Sequence, residues 1–248
     1  MPDGLAHVRP VWPAPPVVNA LVTTRAGGAS AGPFATFNLA THTGDRAGDV
    51  ARNRAALVAG CGLDAVAWLD QQHGTSVLAV GRPVPAAPPV ADAAFTREQG
   101  VACAVLTADC VPVLLCDRAG TVVGAAHGGW RGLVGGVIGA LLGAIATPPR
   151  ELLAWIGPAI GPERYEVGDD VAEAVARATP AGFGPCVTAR TASCKWSADL
   201  PGLARAQLLA AGVTGVYGGE VCAFDDLRFY SYRRDGVTGR MATLIWLG

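Results

Sequence analysis

The segment Val101–His127, VACAVLTADCVPVLLCDRAGTVVGAAH, decides the fold. It contains two apolar, β-branched runs, Val101–Leu106 and Val111–Asp117, and a short polar turn leads from the second into a third run, Thr121–Ala126. Runs of this length and composition, bounded by turn residues, predict three neighbouring β-strands. A histidine, His127, stands at the end of the third strand.

Strand and helix patterns alternate on both sides of this segment. We predict further strands at Val17–Thr24, Ala65–Asp70, Ser76–Val80, Leu152–Ile156, Gly215–Cys222 and Met241–Leu247. We predict helices at Asp49–Gly60, Gly132–Ala146, Gly168–Ala178 and Asp199–Ala211. Because the elements interleave without a strict βαβ cadence, a mixed sheet in a layered α/β or α+β fold is favoured over a doubly wound parallel sheet.

The chain of 248 residues is long enough to bury a substantial core, and it shows no internal repeat. Residues 81–90, GRPVPAAPPV, are rich in proline, but a strand pattern resumes soon after them, so we interpret them as a surface loop rather than a linker. We therefore expect one domain over residues 1–248, with residues 1–16 as an extended N-terminal tail.

Composition excludes several classes of protein. Hydrophobic residues make up 51% and charged residues 16%, which is typical of a folded globular chain and not of a disordered one. The net charge is -1, with no run of like charges that would suit nucleic acid or an anionic membrane. The start of the chain lacks the pattern of a secretion signal, and seven cysteines without a CxxC pair suit reduced thiols. We expect a cytoplasmic protein that acts on a small neutral or anionic molecule.

Histidine and cysteine positions indicate a reactive site. Of the four histidines, His42, His73 and His127 lie in glycine-flanked loops or at a strand end, and Cys110 follows Asp109 on the turn between two predicted strands. A cysteine paired with a histidine can serve as a nucleophile or as part of a zinc site, and the residues alone leave both open. A zinc ion with three protein ligands and one open position would bind and activate water.

Charged residues in loops are candidates for substrate binding and proton transfer. The arginines that lie in glycine-bearing loops are Arg25, Arg131, Arg233 and Arg234. Such guanidinium groups can bind phosphate or carboxylate bidentately, and Arg131 also stands at the predicted start of an apolar helix. Candidate acid or base groups are Asp92, Asp109 and Asp169. Dinucleotide-binding and P-loop motifs do not occur in the right setting, and no GxSxG nucleophile elbow is found, because the GASAG of residues 28–32 lies within a glycine-rich loop.

Several sequence blocks together resemble one known family. They are TTRAGGASAGPF, FNLATHTGD, DQQHGTSV, TADCVPVLLCD, AAHGGWRG, IGPAIGPERYEVGDDV and FYSYRRDGVTGRMATLIWL. In this order they are similar to the bacterial YfiH-type family, also called the laccase-domain or polyphenol oxidase family. The resemblance implies a single-domain α/β/β/α sandwich of four layers and a zinc ion held by His73, Cys110 and His127.

The resemblance also implies an activity. Members are regarded as purine nucleoside phosphorylases that cleave adenosine, inosine and methylthioadenosine with phosphate and also deaminate adenosine. We expect the loop residues Arg25, Asn38, Arg131 and Arg233 to bind substrate or phosphate, and Asp109 or His42 to transfer protons. Copper is less suitable than zinc, because four histidines cannot supply a multicopper centre.

Two other functions remain open from the sequence. The family has been linked to peptidoglycan editing, for which Cys110 would be the nucleophile and His127 the base of an amide hydrolase. Polyphenol oxidation is a secondary alternative, and a protein that only stores metal or binds a partner is the non-enzymatic one. We expect a monomer or a small homo-oligomer.

Overall fold

The computed structural model describes residues 6–190 and 195–248. The strands in this part of the chain are β1 (His7–Val8), β2 (Val18–Thr23), β3 (Ala65–Ala67), β4 (Val77–Val80), β5 (Ala93–Thr96), β6 (Val101–Thr107), β7 (Val111–Asp117), β8 (Val123–Gly128), β9 (Leu152–Ile156), β10 (Glu166–Val167), β11 (Val187–Arg190), β12 (Lys195–Ala198), β13 (Gly215–Gly218) and β14 (Met241–Leu247). The α-helices are α1 (Ala47–Cys61), α2 (Trp130–Gly135), α3 (Val137–Ile145), α4 (Asp169–Ala178), α5 (Leu200–Ala210) and α6 (Tyr232–Asp235).

The strands form two large mixed sheets and one small sheet. The first large sheet has the order β1-β2-β14-β6-β3, in which β3 runs parallel to β6 and the other pairs are antiparallel. The second has the order β13-β9-β7-β8-β5-β4, antiparallel at its centre and parallel at both edges. Strands β10, β12 and β11 form the small antiparallel sheet. The predicted mixed sheets are therefore confirmed.

Buried side chains fix the order of the layers. Helix α1 packs through Leu57 on one face of the first sheet, beside Ala104 of β6. The other face of β6 packs through Cys103 against Leu114 of β7, so the two large sheets are stacked on each other. On the far face of the second sheet, helices α2, α3 and α5 pack over residues such as Val113. The result is the four-layer α/β/β/α sandwich that the family resemblance implies.

The predicted helix at Gly132–Ala146 is divided into two. Helix α2 ends at Gly135, and Gly136 adopts a φ of +95° before α3 begins at Val137. Glycine adopts this left-handed conformation at no steric cost, so the helix changes direction here. The apolar pattern continues across the break, and for that reason it predicted one helix.

The predicted N-terminal tail is partly built into the first sheet. Residues 1–5 lie outside the described residues, whereas His7 and Val8 form an edge strand in which His7 pairs with Thr23 of β2. Val8 and Trp12 also pack against the core between the sheets. The strand pairing, a hydrogen bond from the backbone N–H of Thr24 to the backbone oxygen of Ala6 at 3.0 Å and this apolar contact hold residues 6–16 against the body of the protein. Within the described residues, no helix is both long and apolar enough to cross a membrane.

Two chain crossings between the large sheets position the candidate site. Strand β6 belongs to the first sheet and β7 to the second, so residues 108–110 cross from one sheet to the other. Residues 68–76 make a second crossing, from β3 to β4. The predicted ligands Cys110 and His73 lie on these two crossings.

Candidate metal centre

The three predicted ligands His73, Cys110 and His127 meet in space. One donor atom from each lies within 4.8 Å of the others. The two imidazole rings meet edge to face, with centroids 4.8 Å apart. Pairing of β7 with β8 places His127 opposite Pro112, next to the turn that carries Cys110. Two imidazoles and a thiol at these separations form a donor set that could hold a single metal ion.

The backbone is strained on both sides of this group. His73 has a φ of +58° and Asp109 a φ of +96°. Positive φ is uncommon for residues other than glycine and costs about 1 to 3 kcal/mol at each position. Strain of this kind persists where the surrounding structure enforces it, which is frequent at functional sites.

Asp92 links two of the ligands through one buried carboxylate. Its Oδ1 accepts hydrogen bonds from the backbone N–H of His73 at 3.0 Å and from Nδ1 of His127 at 2.8 Å. Its Oδ2 accepts from the backbone N–H of Gln72 at 3.2 Å and of Gly74 at 2.7 Å. Because an ionised carboxylate only accepts, the proton of His127 lies on Nδ1, and Nε2 is left for a metal ion.

The charges of the site shift the pKa values of its members. Burial alone lowers the pKa of His127, but the nearby Cys110 and Asp92 outweigh this effect and raise it to about 9. The pKa of His73 is lowered by burial and by the neighbouring His127. Burial raises the pKa of Asp92, but hydrogen bonds from His127 and from backbone N–H groups lower it further, so the net shift is downward. The carboxylate is thus held in its charged form.

Gly129 leaves room for the ligands. A Cβ atom added there would lie 2.3 Å from Nδ1 of His73 and 3.4 Å from Sγ of Cys110. The first distance is far below any van der Waals contact, so no residue other than glycine fits without moving His73.

The ligands open into a cavity of about 500 Å³, which we call the central cavity. The predicted site residues that line it are His42, His73, Asp109, Cys110, His127, Arg131 and Arg233. Lining residues that the sequence did not indicate include Trp130, Tyr165, Tyr232 and Arg240. The cavity therefore combines a candidate metal centre, cationic groups and aromatic rings.

Two of the predicted arginines lie on aromatic rings at the rim of the central cavity. The guanidinium of Arg131 is 4.3 Å from the centre of the Trp130 ring, and that of Arg233 is 4.9 Å from the centre of the Tyr165 ring. Nη1 of Arg233 also donates to the backbone oxygen of Glu166 at 3.0 Å. Both side chains are exposed and hold a positive charge near the cavity mouth.

The two predicted proton-transfer groups differ in their surroundings. Asp109 is buried, and its Oδ2 accepts from the backbone N–H of Arg233 at 2.6 Å. Its Oδ1 has no hydrogen-bond partner among the described residues, and burial raises the pKa of this carboxyl group. His42 lies at the cavity rim, where partial burial and the charge of Arg240 lower its pKa.

Arg25 and Asn38 are not brought into the central cavity. Nε of Arg25 donates to the backbone oxygen of Ala35 at 3.1 Å, and its Nη1 lies 3.8 Å from Asp235. Asn38 is fully buried, and its side chain bonds to neighbouring loop groups, including Asp45 at 2.9 Å. The side chains of both residues are occupied in holding loops together, which the sequence could not distinguish from ligand binding.

Sequence reasoning missed the roles of Arg240 and Asp92. Arg240 follows Gly239, as the other loop arginines adjoin glycines. It also directly precedes the apolar run of the closing strand, and for that reason the sequence did not single it out as a loop arginine. Asp92 was predicted as an acid or base group, whereas the structure shows it as the shared acceptor of two ligand segments. Its position after a proline-rich loop gave no sign of those contacts.

Comparison with known families supplies a match over nearly the whole chain. Residues 19–248 match the family described as multi-copper polyphenol oxidoreductase laccase. A purine nucleoside phosphorylase of Pseudomonas aeruginosa is 46% identical over 243 residues, covering 98% of each chain. The purine nucleoside phosphorylase YfiH of Escherichia coli is 44% identical over 241 residues, covering 96% of this chain and 97% of its own.

Solved structures share the fold. A crystal structure of a Neisseria meningitidis protein superposes with a TM-score of 0.91 at 48% identity and covers 97% of this chain and 98% of its own. YlmD from Geobacillus stearothermophilus superposes with a TM-score of 0.89 at 34% identity and covers 99% of both chains. The four-layer architecture is thus found in proteins whose sequences have diverged by more than half.

Proposed function

This chain belongs to the laccase-like family described as multi-copper polyphenol oxidoreductase laccase, and we propose that it is a zinc-dependent purine nucleoside phosphorylase. The observation that carries the proposal is the group His73, Cys110 and His127 at the wall of a cavity of about 500 Å³ that is also lined by arginines and aromatic rings. The names of two relatives, at 46% and 44% identity, support the same activity.

Zinc fits the donor set better than copper does. Two histidines and one cysteine are ligands that zinc accepts in tetrahedral sites, and three protein ligands would leave one coordination position for a substrate. A multicopper centre needs many more imidazoles than the four histidines of this chain. When bound, zinc would supply a positive centre that polarises a substrate oxygen.

The cavity residues suit the two substrates of phosphorolysis. In this reaction the bond between the sugar and the base breaks, a phosphate oxygen bonds to the sugar carbon, and the base leaves with the bonding electrons and takes up a proton. The rings of Trp130 and Tyr165 offer apolar faces to a purine, and Arg131 and Arg233 attract the phosphate from the rim. Asp109 or His42 transfers the proton.

The substrates that we propose are adenosine, inosine and methylthioadenosine. Deamination of adenosine, in which water replaces the amino group and ammonia leaves, is a side activity of the same cavity. Both reactions release small products that chromatography separates.

The test is product analysis with purified, zinc-loaded protein. Incubation with adenosine and phosphate should yield adenine and ribose 1-phosphate, and omission of phosphate should stop adenine release. Cys110→Ala is the matched control and should release no base above background. A zinc-replete wild-type protein that leaves all three nucleosides intact would rule out this function.

One observation supports a different reaction class. Cys110, His127 and Asp92 form a relay in which Asp92 orients the imidazole that faces the thiol, as in cysteine hydrolases. An amide hydrolase acting on a peptidoglycan precursor would use Cys110 as nucleophile. A covalent adduct on Cys110, trapped during turnover and detected by mass spectrometry, would favour this alternative over metal ligation.

A further inference from the structure

Arg240 enters the central cavity from a rigid part of the backbone. Its backbone N–H donates to Oδ1 of Asn38 at 2.9 Å, and its backbone oxygen accepts from the N–H of Leu39 at 3.3 Å. The preceding Gly239 is packed so closely that an added Cβ would lie 2.7 Å from the ring of Tyr230. The buried Asn38 thus fixes where the Arg240 side chain begins.

The guanidinium of Arg240 uses only part of its hydrogen-bonding capacity. Nη1 donates to the backbone oxygens of Thr238 at 2.9 Å and Gly239 at 3.0 Å, and the group lies 5.8 Å from the centre of the Tyr232 ring. Nε and Nη2 have no acceptor among the described residues. Neither atom is among the fully buried polar atoms that lack a partner. These two donors form one edge of the guanidinium, which can bind an oxyanion bidentately.

The charge of Arg240 also lacks a counterion. Within residues 6–190 and 195–248, no carboxylate lies within 4.0 Å of it, whereas Arg228 and Arg234 each pair with an aspartate at less than 3 Å. Burial lowers the pKa of Arg240, and Cys110 and Asp109 are near enough to offset part of that effect without forming an ion pair. A partly buried cation without a counterion is unfavourable unless a ligand supplies the negative charge.

The other two cavity arginines are placed differently. Arg131 is exposed and stacked on Trp130, and Arg233 is exposed with one donor committed to Glu166. Both can attract an anion toward the mouth. The backbone N–H of Arg233 is held by the buried Asp109, but its side chain is exposed, whereas that of Arg240 is partly buried.

We propose that Arg240 is the oxyanion anchor of the central cavity and binds orthophosphate through its free Nε and Nη2 edge, beside the candidate metal centre. The identity of the anion as a co-substrate rests on the proposed function, but the binding itself does not. Asn38 is then a positioning residue that acts through Arg240 without itself contacting the ligand.

Direct binding of inorganic phosphate to the zinc-loaded full chain tests the proposal. In calorimetric titration, Arg240→Gln should weaken phosphate binding by about 10- to 100-fold, the range expected for loss of charged hydrogen bonds. Arg240→Lys keeps the positive charge but cannot donate two parallel hydrogen bonds, so its phosphate affinity should fall by less than that of Arg240→Gln. Arg228→Gln, which removes an exposed arginine paired with Asp226 outside the cavity, should bind phosphate as the wild type does.

Further measurements separate this proposal from the proposed function. Unchanged zinc content and melting temperature in Arg240→Gln and Arg240→Lys show that the fold is intact. If nucleosides are cleaved, Arg240→Gln should raise KM for phosphate at least tenfold and leave KM for the nucleoside nearly unchanged. If phosphate binding depends on Arg240 but no nucleoside is cleaved, the anchor stands and the proposed function fails.

A second titration, with AMP, distinguishes free phosphate from the phosphate group of a nucleotide. We expect orthophosphate binding to depend on Arg240 whether or not AMP also binds. The proposal is overturned if phosphate binds to Arg240→Gln and wild type with equal affinity, if wild type binds no phosphate at millimolar concentration, or if only AMP binding depends on Arg240.

Discussion

The strands β6 and β7 and the turn between them use the same residue type, cysteine, for different purposes. Cys103 and Cys116 lie in the strands, are fully buried and contact only the core between the sheets. Cys110 lies on the turn, is half-buried and meets two histidines. Burial raises the pKa of Cys116 to about 12 and raises that of Cys103 still further, so both remain neutral thiols at physiological pH.

This difference shows that the position of a cysteine, in a strand or on the turn, decides what it does. In the strands, backbone pairing and close packing leave a side chain no polar partner. At the turn, the positive φ of Asp109 and the crossing between sheets expose Cys110 to groups from other segments. The strands favour stability, and the turn gives up some stability to form a site.

Replacing Cys110 should have the largest effect on function. Cys110→Ser should lose bound zinc and all activity, because a hydroxyl is a far weaker zinc ligand than a thiolate. The measurement is metal content by mass spectrometry together with turnover. A variant that keeps stoichiometric zinc would contradict the assignment of Cys110 as a ligand.

Asp92 joins the segments of His73 and His127, and its replacement should have the next largest effect. Asp92→Asn removes the charge that orients His127 and cannot accept all four hydrogen bonds. Loss of such a partner typically costs 10- to 100-fold in metal affinity or activity. Competition with a chelator measures the affinity; an unchanged value would mean that His127 is oriented by other contacts.

Gly129→Ala should weaken the site by steric displacement alone. The added methyl group would meet Nδ1 of His73 at 2.3 Å, and we expect about a tenfold loss of metal affinity because His73 must shift. The matched control is Gly139→Ala in helix α3, where nothing lies within 4 Å. That variant should bind metal normally and gain about 0.5 to 1 kcal/mol of stability. Equal metal affinity in the two variants would argue against the close packing at Gly129.

A substitution within strand β6 should have the opposite pattern of effects. Cys103→Ser places a hydroxyl in an apolar, fully buried position and should lower the free energy of unfolding by about 1 to 3 kcal/mol. Zinc content and turnover of the folded protein should not change. Urea denaturation measures the stability, and a metal assay measures the zinc content. A loss of zinc in the folded variant would contradict the assignment of Cys103 to the core alone.

The fold was largely predictable because its central strands are buried on both faces. Strands β6, β7, β9 and β14 are continuous apolar runs, which is typical of strands buried on both faces. Their bounds were predicted to within about one residue. The small sheet, β5 and the break at Gly136 were missed, since short strands and a glycine within an apolar run produce no change of periodicity.

The site was predictable only as far as residue type allowed. The chain has only four histidines, and Cys110 stood out by its position on a turn, but it was the family resemblance that joined His73, Cys110 and His127 into one metal site. Asp92 and Arg240 did not, because their roles depend on hydrogen bonds to residues far along the chain, such as Asn38. Ligand binding by Arg25 stays a prediction from its glycine-rich loop, and the structure shows that its side chain has a backbone acceptor in Ala35.

The two crossings between the large sheets have a mechanical consequence. His73 and Cys110 lie on separate connections that join the sheets, so a metal ion bound to both restrains sliding of one sheet over the other. Such an ion binds the native chain in preference to the unfolded one, and at a hundred times its Kd it would add about 2.7 kcal/mol to the free energy of unfolding. Thermal stability of this protein should therefore vary with the metal supply of its surroundings.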